Sequence, residues 1–133
     1  AVACARHNLA GRDVPVLAGD LYDPLPPAWR GRLDLVVANA PYVPTEAVAL
    51  LPAEARLHEA PVALDGGTDG LAVLRRVAQG AMEWLAPGGH LVVEISDRQA
   101  EALCASMRAL GLAPTVVRAP EWDATAVTAR RPG

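Results

Sequence analysis

The sequence contains no lysine and no phenylalanine, and only 4% of its 133 residues are aromatic. The twelve basic residues, all arginine, are outnumbered by fifteen acidic ones, which leaves a formal net charge of -3. Because binding to nucleic acid depends on clustered basic charge, this balance disfavours DNA or RNA as a partner. The arginine pairs at 75–76 and 130–131 are better explained as solvated surface.

Cysteine and long apolar runs are also scarce. Cys4 and Cys104 show neither metal-ligand spacing nor a disulfide framework. A metal site built from Glu54, His58 and Glu59 is not favoured, and we predict none. No apolar run approaches the roughly 18 residues of a membrane-spanning helix, and there is no signal-like segment. We therefore expect a cytoplasmic protein with no membrane contact.

Strand and helix patterns alternate along the chain, and 52% of the residues are hydrophobic, enough for the core of one domain. The predicted elements are a helix over 1–10 closed by Gly11, a strand over 14–18, a strand over 33–38, a partly helical stretch over 45–60, a helix over about 70–86, a strand over 90–95, a helix over 97–110, and strands over 113–119 and 124–130. This order predicts an α/β fold with a mostly parallel, doubly wound sheet. The short link between the last two strands predicts an antiparallel hairpin at an edge.

The tetrapeptide Asn39-Ala40-Pro41-Tyr42 follows directly on the apolar run over 33–38. Open α/β sheets bind their ligands at the carboxyl ends of such strands. The Asn39 side-chain oxygen and the Ala40 carbonyl can accept the two hydrogens of a planar NH2 group, while the Tyr42 ring lies against its flat face. The motif therefore indicates methyl transfer to an amide or amino nitrogen. The alternative is an ordinary turn at the end of a strand.

A second stretch, from Arg56 to Leu71, extends this pattern with Glu59, Asp65-Gly66-Gly67 and Asp69-Gly70. Together the two motifs resemble those of the HemK-like glutamine N5-methyltransferases, the family that modifies peptide chain release factors. The resemblance covers essentially the whole chain, so that 1–133 is interpreted as part of a methyltransferase catalytic domain. It implies a Rossmann-like class I methyltransferase fold, S-adenosylmethionine as cofactor and a protein substrate, with a release factor expected.

The resemblance also implies roles for individual residues. Asn39 and Tyr42 are the expected catalytic residues, and Asn39, Ala40, Pro41, Tyr42 and Glu59 are expected to bind the substrate. Asp20, with Leu21 packed on the adenine ring, and Asn39 are expected to contact the cofactor. From the residues alone, a loop start is the favoured interpretation of Asp20, and a salt bridge to Arg56 is favoured for Glu59.

The chain departs from the family at several points. Ala40 and Ala60 replace prolines, and Ala126 replaces an arginine, but the Ala40 carbonyl is retained. The Gly-rich cofactor loop is absent, and we expect the first two strands of the fold to be absent with it. Strand 33–38 would then expose one flank, which predicts self-association through sheet edges. A nucleic-acid amino-methyltransferase and a non-catalytic half domain that needs a partner are the alternative functions.

Overall fold

Four strands form one mixed sheet. The computed structural model describes residues 2–51 and 63–133. Within them lie β1 (Leu33–Ala38), β2 (Leu85–Ile95), β3 (Ala113–Ala119) and β4 (Ala124–Arg130), in the spatial order β1-β2-β4-β3. β1 and β2 are parallel, and β4 runs antiparallel to both β2 and β3. Three strands thus share one direction, and the predicted hairpin is confirmed.

The helices follow the predicted order with shifted ends. They are α1 (Val2–Asn8), α2 (Thr45–Val48), α3 (Ala72–Trp84) and α4 (Asp97–Ala109), with 3-10 turns at Pro27–Trp29 and Pro120–Trp122. α3 ends before the predicted position because β2 already begins at Leu85, so that Pro87-Gly88-Gly89 lies within this strand. The pairing of β1 with β2 shifts register there. A side chain at Gly89 would place its Cβ 2.7 Å from the Leu33 carbonyl oxygen, so glycine permits the two strands to approach.

The hydrophobic core lies between one face of the sheet and helices α3 and α4. Leu91 and Val93 of β2 and Val127 and Ala129 of β4 are fully buried on this face. They pack with apolar residues that recur at helical spacing in α3 and α4, namely Leu74, Val77, Ala78, Ala81, Ala100, Leu103, Cys104 and Met107. On the opposite face Leu35 and Val37 are 58% and 69% exposed. The described part of the chain therefore buries one face of β1 far better than the other.

The predicted strand at 14–18 is wrong. Residues 14–18 form no strand, and Val14 and Leu17 are exposed. Pro15 cannot donate a backbone hydrogen bond, and no strand of the described sheet lies beside the segment to pair with it. Isolated extended backbone gains too little to become ordered as a strand.

The chain after this segment is attached to α3 through Tyr22. Its hydroxyl donates a hydrogen bond of 2.9 Å to the Val77 carbonyl oxygen, and its ring stacks on Trp84 with 6.0 Å between centroids. The ring also rests on Gly80, where a Cβ would collide with it. Arg30 lies over the Trp84 ring at 5.2 Å. These contacts bind residues 19–25 to the side of α3.

β1 occupies one edge of the described sheet. One row of its backbone groups consequently faces away from β2, as the sequence predicts. Self-association through this edge remains a prediction. In the described ranges, no helix is long and apolar enough to cross a membrane.

Candidate active site

The predicted substrate turn leaves the carboxyl end of β1. Ala40 is buried in the core, at 8% exposure, whereas Asn39 is exposed and Pro41 and Tyr42 are half-buried. In residues 2–51 and 63–133, neither the Asn39 side chain nor the Ala40 carbonyl oxygen makes a hydrogen bond. The two acceptors predicted for a planar NH2 group are therefore available, beside a ring held by partial burial.

The second motif packs against this turn through its backbone. The Val43 N–H donates to the Leu64 carbonyl oxygen at 3.2 Å, and the Gly66 N–H donates to the Val43 carbonyl oxygen at 2.8 Å. Val43 and Asp65 form a parallel bridge. The two motifs, separated in sequence, thus form one structural unit, which we call the turn cluster: residues 39–45 and 63–71.

Two glycines allow this close contact. A Cβ on Gly66 would lie 2.8 Å from the Pro41 carbonyl oxygen and 2.5 Å from that of Gly70. Gly70 has a φ of +74° and packs directly on the Tyr42 carbonyl oxygen. A larger residue at Gly70 cannot adopt this φ without strain, and one at Gly66 would collide with backbone carbonyl groups. The paired backbones therefore require glycine at both positions.

Two carboxylates order the loop of the turn cluster. Asp65 accepts hydrogen bonds from the Gly67 N–H at 2.9 Å and from the Thr45 hydroxyl at 2.8 Å, and these lower the pKa of its carboxyl group. Asp69 is paired with Arg75 at 2.6 Å, and the hydrogen bond from Arg75 is the main reason that its pKa is lowered. Both carboxylates act within the protein, and neither is directed at a ligand.

Asn39 lies between two cavities. One, of about 430 Å³, is lined by the turn from Asn39 to Val43 together with Leu51, Ala63 and Leu64. The other, of about 330 Å³, lies on the exposed face of the sheet, where its walls include Val37, Val92 and Glu94. This position agrees with the expectation that Asn39 contacts both the substrate and the cofactor.

Glu94 contributes negative charge to this end of the sheet. It is an exposed residue near the carboxyl end of β2, which lies beside β1. Burial raises the pKa of the Tyr42 hydroxyl, and the Glu94 carboxylate raises it further. Tyr42 consequently stays neutral at physiological pH.

Asp20 and Leu21 lie elsewhere. Asp20 forms an ion pair of 2.5 Å with Arg76 on α3, and the hydrogen bond to this carboxylate raises the pKa of Arg76. Both Asp20 and Leu21 line a cavity of about 510 Å³ whose walls also include Tyr22 and Trp84 but not Asn39. The described arrangement does not bring Asp20 and Asn39 into one cavity, and their shared role in cofactor binding stays a prediction.

Known proteins with related sequences align with most of this chain. A release factor glutamine methyltransferase of Caulobacter vibrioides is 44% identical over 112 residues, which cover 84% of this chain and 39% of that protein. A ribosomal protein uL3 glutamine methyltransferase of Burkholderia pseudomallei is 43% identical over 106 residues, 75% of this chain and 34% of that protein. The chain belongs to this glutamine methyltransferase family. It spans about two fifths of the length of the Caulobacter relative.

Solved structures place this family member in a wider fold. A crystal structure described as a putative DNA modification methylase from Thermus thermophilus matches 87% of this chain and 53% of that chain with a TM-score of 0.50. Its sequence is 20% identical, so the likeness shows the class I methyltransferase fold alone. No protein family model matches the sequence.

The residues near Asn39 fit part of the cofactor that this family implies. The cationic sulfonium of S-adenosylmethionine suits the Glu94 carboxylate and the Asn39 amide oxygen, the polar groups at the carboxyl ends of β1 and β2. For the adenine ring the fit is not reproduced, since Asp20 and Leu21 line a different cavity. Among the described residues no cluster of His, Cys, Asp and Glu could hold a metal ion.

Two residues of the site were missed at the sequence level. Glu94 could have been found, because it ends a predicted strand that is parallel to β1 and therefore shares its ligand-binding edge. Gln99 contacts both motifs, but nothing in the pattern of α4 distinguishes it. Glu59, predicted to bind substrate, lies outside the described residues, as do Arg56, His58 and Ala60.

Proposed function

We propose that the protein is an S-adenosylmethionine-dependent methyltransferase that modifies the side-chain amide nitrogen of a glutamine in another protein. The observation that carries this proposal is the pair of free acceptors, the Asn39 side chain and the Ala40 carbonyl oxygen, beside the half-buried Tyr42 ring. Membership of the glutamine methyltransferase family supports it. Because the chain spans about two fifths of its relatives' length, the activity is proposed for the complete protein.

The turn acts by orienting a poor nucleophile. The lone pair of an amide nitrogen is delocalised into its carbonyl group, so the nitrogen must be held in the geometry of attack. Asn39 and the Ala40 carbonyl oxygen each accept one N–H hydrogen, Pro41 sets the turn, and Tyr42 covers the amide plane. Bound S-adenosylmethionine supplies the electrophilic methyl group. Orientation of this kind can contribute about 7–11 kcal/mol to catalysis.

We propose a peptide chain release factor as the substrate. Relatives that carry this name include those of Caulobacter vibrioides and Moorella thermoacetica, the latter 47% identical over 105 residues. The relative named for uL3 makes a ribosomal protein the second candidate within the same chemistry. Both substrates belong to protein synthesis, and we therefore propose that the enzyme works in the cytoplasm.

Modification of DNA or RNA is the weaker alternative. The likeness to the Thermus protein rests on 20% identity and supports the fold only, and the net charge of -3 disfavours binding to nucleic acid. The relatives at 41–47% identity are named for protein glutamine. A half domain without activity of its own remains the other alternative, since Asp20 and Asn39 line different cavities.

The test is transfer of one methyl group to purified release factor by the complete protein. Asn39→Ala should reduce the rate by on the order of 10²–10³-fold, the range seen when one group that holds the reacting atoms is removed. Its affinity for S-adenosylmethionine should stay within about threefold of wild type, by analogy with losses confined to the transition state. Asn8→Ala, at an exposed position of α1, is the matched control and should be fully active.

Three results would each remove a different part of the proposal. No methyl transfer to release factor or uL3 by the wild type would leave the half-domain hypothesis. Equal transfer to DNA or ribosomal RNA would favour the nucleic-acid enzyme. A large loss of cofactor affinity in Asn39→Ala would move this residue from the substrate to the cofactor.

A further inference from the structure

Gln99 lies in the first turn of α4 and joins the two halves of the turn cluster. Its side-chain amide donates one hydrogen bond of 3.0 Å to the Tyr42 carbonyl oxygen and one of 2.8 Å to the Asp69 carbonyl oxygen. Both N–H hydrogens of the amide are thereby used, one on each motif. The residue is half-buried.

The position of Gln99 is itself fixed by the core. Its neighbour Ala100 is 1% exposed and Leu103, one turn later, is fully buried under the sheet. Its backbone N–H donates to the Ser96 carbonyl oxygen at 3.0 Å, which closes the first turn of the helix. α4 consequently presents the amide from a rigid base, as an accurately held site requires.

Three segments of the chain meet at the Tyr42 carbonyl oxygen. Gln99 donates to it from α4, and Gly70 packs on it from the loop, close enough that a Cβ on Gly70 would collide with both. This carbonyl group is two residues beyond that of Ala40, so its direction constrains the rotation of the turn that carries the substrate acceptors. Gln99 itself lines neither cavity beside Asn39.

We propose that Gln99 is a positioning residue for methyl transfer: it fixes the Tyr42 carbonyl group and thereby the orientation of the Asn39–Tyr42 turn. This inference rests on the proposed function. The bond to Asp69 adds a second constraint, because it holds the loop against the same turn. Loss of the amide should loosen the turn without altering the groups that touch the substrate.

The test uses the complete protein with Gln99→Met, which keeps the length of the side chain and removes only its amide. Gln99→Glu is the second variant, because its carboxylate oxygens are acceptors and would face two carbonyl oxygens that need donors. Arg98→Met is the control, since Arg98 is exposed on the same turn of α4, its side chain makes no hydrogen bond within the described residues, and it lies outside the cavities that Asn39 and Asp20 line. Amide hydrogen exchange and methyl-transfer kinetics are measured on all three.

In Gln99→Met we expect faster exchange at the Gly66 and Gly70 amides, together with a kcat lower by about 10–100-fold, as for an ångström-scale misplacement of reacting groups. The KM for S-adenosylmethionine should change by less than about twofold, because the residue acts on orientation rather than on cofactor binding. Gln99→Glu should be at least as slow, and Arg98→Met should match the wild type.

Unchanged exchange in Gln99→Met would overturn the proposed positioning role, and so would an unchanged kcat or a loss shared equally by Arg98→Met. Faster exchange in a protein whose wild type transfers no methyl group to glutamine would refute the proposed function instead, while leaving the structural link between Gln99 and the turn in place.

Discussion

The turn cluster and the segment over 19–25 are the two regions predicted to bind ligands, and they are attached in very different ways. Backbone hydrogen bonds, two close-packed glycines and the Gln99 amide hold the turn cluster together. The 19–25 segment is bound to α3 mainly through one side chain, Tyr22, and one exposed ion pair between Asp20 and Arg76. Its neighbour at 14–18 joins no strand of the described sheet.

The difference shows which site this stretch of chain can specify by itself. The predicted substrate side is held by contacts between residues of this chain, most of them between backbone atoms. The expected cofactor side depends on where Asp20 lies, and no strand beside it fixes that position in the described sheet. The following predictions, in decreasing order of expected effect, test this contrast.

Gly70→Ala should produce the largest loss of stability. The positive φ costs about 1–3 kcal/mol for alanine, and the collision with the Tyr42 carbonyl oxygen and Gln99 adds about 1–3 kcal/mol of overpacking. Denaturant unfolding measures the sum. Gly11→Ala is the control, because Gly11 has a φ of +81° but nothing within 4 Å of its Cβ position. Equal losses in the two variants would mean that the backbone contact contributes nothing.

Tyr22→Phe should cost about 0.5–1.5 kcal/mol through the lost hydrogen bond to Val77. Burial raises the pKa of Tyr22 to about 12 from its ordinary value of 10.0. The folded protein therefore keeps this proton to a higher pH than the unfolded chain does. The stability that this group contributes is fully present below pH 10 and is lost as the pH rises towards 12. Unfolding midpoints between these values should fall less steeply in Tyr22→Phe. An identical slope would show that Tyr22 does not anchor the segment.

Asp65→Asn should have a smaller effect, which is present at neutral pH and disappears in acid. The pKa of Asp65 is below its ordinary value of 3.8, so its stabilising bonds are complete above that pH and are lost as the pH falls through the folded value. The protection of the Gly67 amide against hydrogen exchange, corrected for the intrinsic effect of pH, should fall in acid in the wild type and depend less on pH in Asp65→Asn. Asp69 maintains part of the dependence, since its pKa is lowered as well. Asp34→Asn, on exposed β1, should change nothing at Gly67.

Asp20→Asn should change stability least, because the Asp20–Arg76 pair is exposed on both sides. In the complete protein it separates the two explanations of this residue. If Asp20 binds adenine, its replacement should weaken S-adenosylmethionine binding by roughly 10–100-fold, as expected for a hydrogen bond to a charged group. Calorimetric titration measures this, with Asp13→Asn, at an exposed position outside this cavity, as the control. Unchanged affinity would leave Asp20 with only its surface ion pair.

Much of the fold could be predicted because local pattern and final packing agree. β1 was predicted at its observed bounds, because a short apolar run that is followed by an asparagine favours a buried strand that ends there. The hairpin of β3 and β4 followed from its short connection. The strand at 14–18 was wrong for a reason that local pattern cannot reveal: a strand exists only if another strand lies beside it. The start of β2 was also misplaced, because Pro87-Gly88-Gly89 looks like a stop but fits a register shift.

The candidate site was predictable where chemistry and chain position coincide. Asn39 and Tyr42 stand at a strand end, where ligands bind, and both line one cavity, while their roles stay a prediction. The contact between the two motifs could be anticipated only through the family resemblance. Gln99 could not be anticipated at all, since its role comes from which carbonyl oxygens lie beside one turn of α4.

The spatial order β1-β2-β4-β3 has a consequence for how the sheet assembles. β4 is the latest of the described strands along the chain, yet it occupies an interior position between β2 and β3. β2 and β3 are therefore joined only through β4, which must enter between them. The pairing of His90 with Arg130 closes a long loop. Formation of such distant contacts slows folding. During synthesis, β2 and its apolar residues therefore stay unpaired on this side until β4 has left the ribosome. In that interval the exposed strand is accessible to a chaperone.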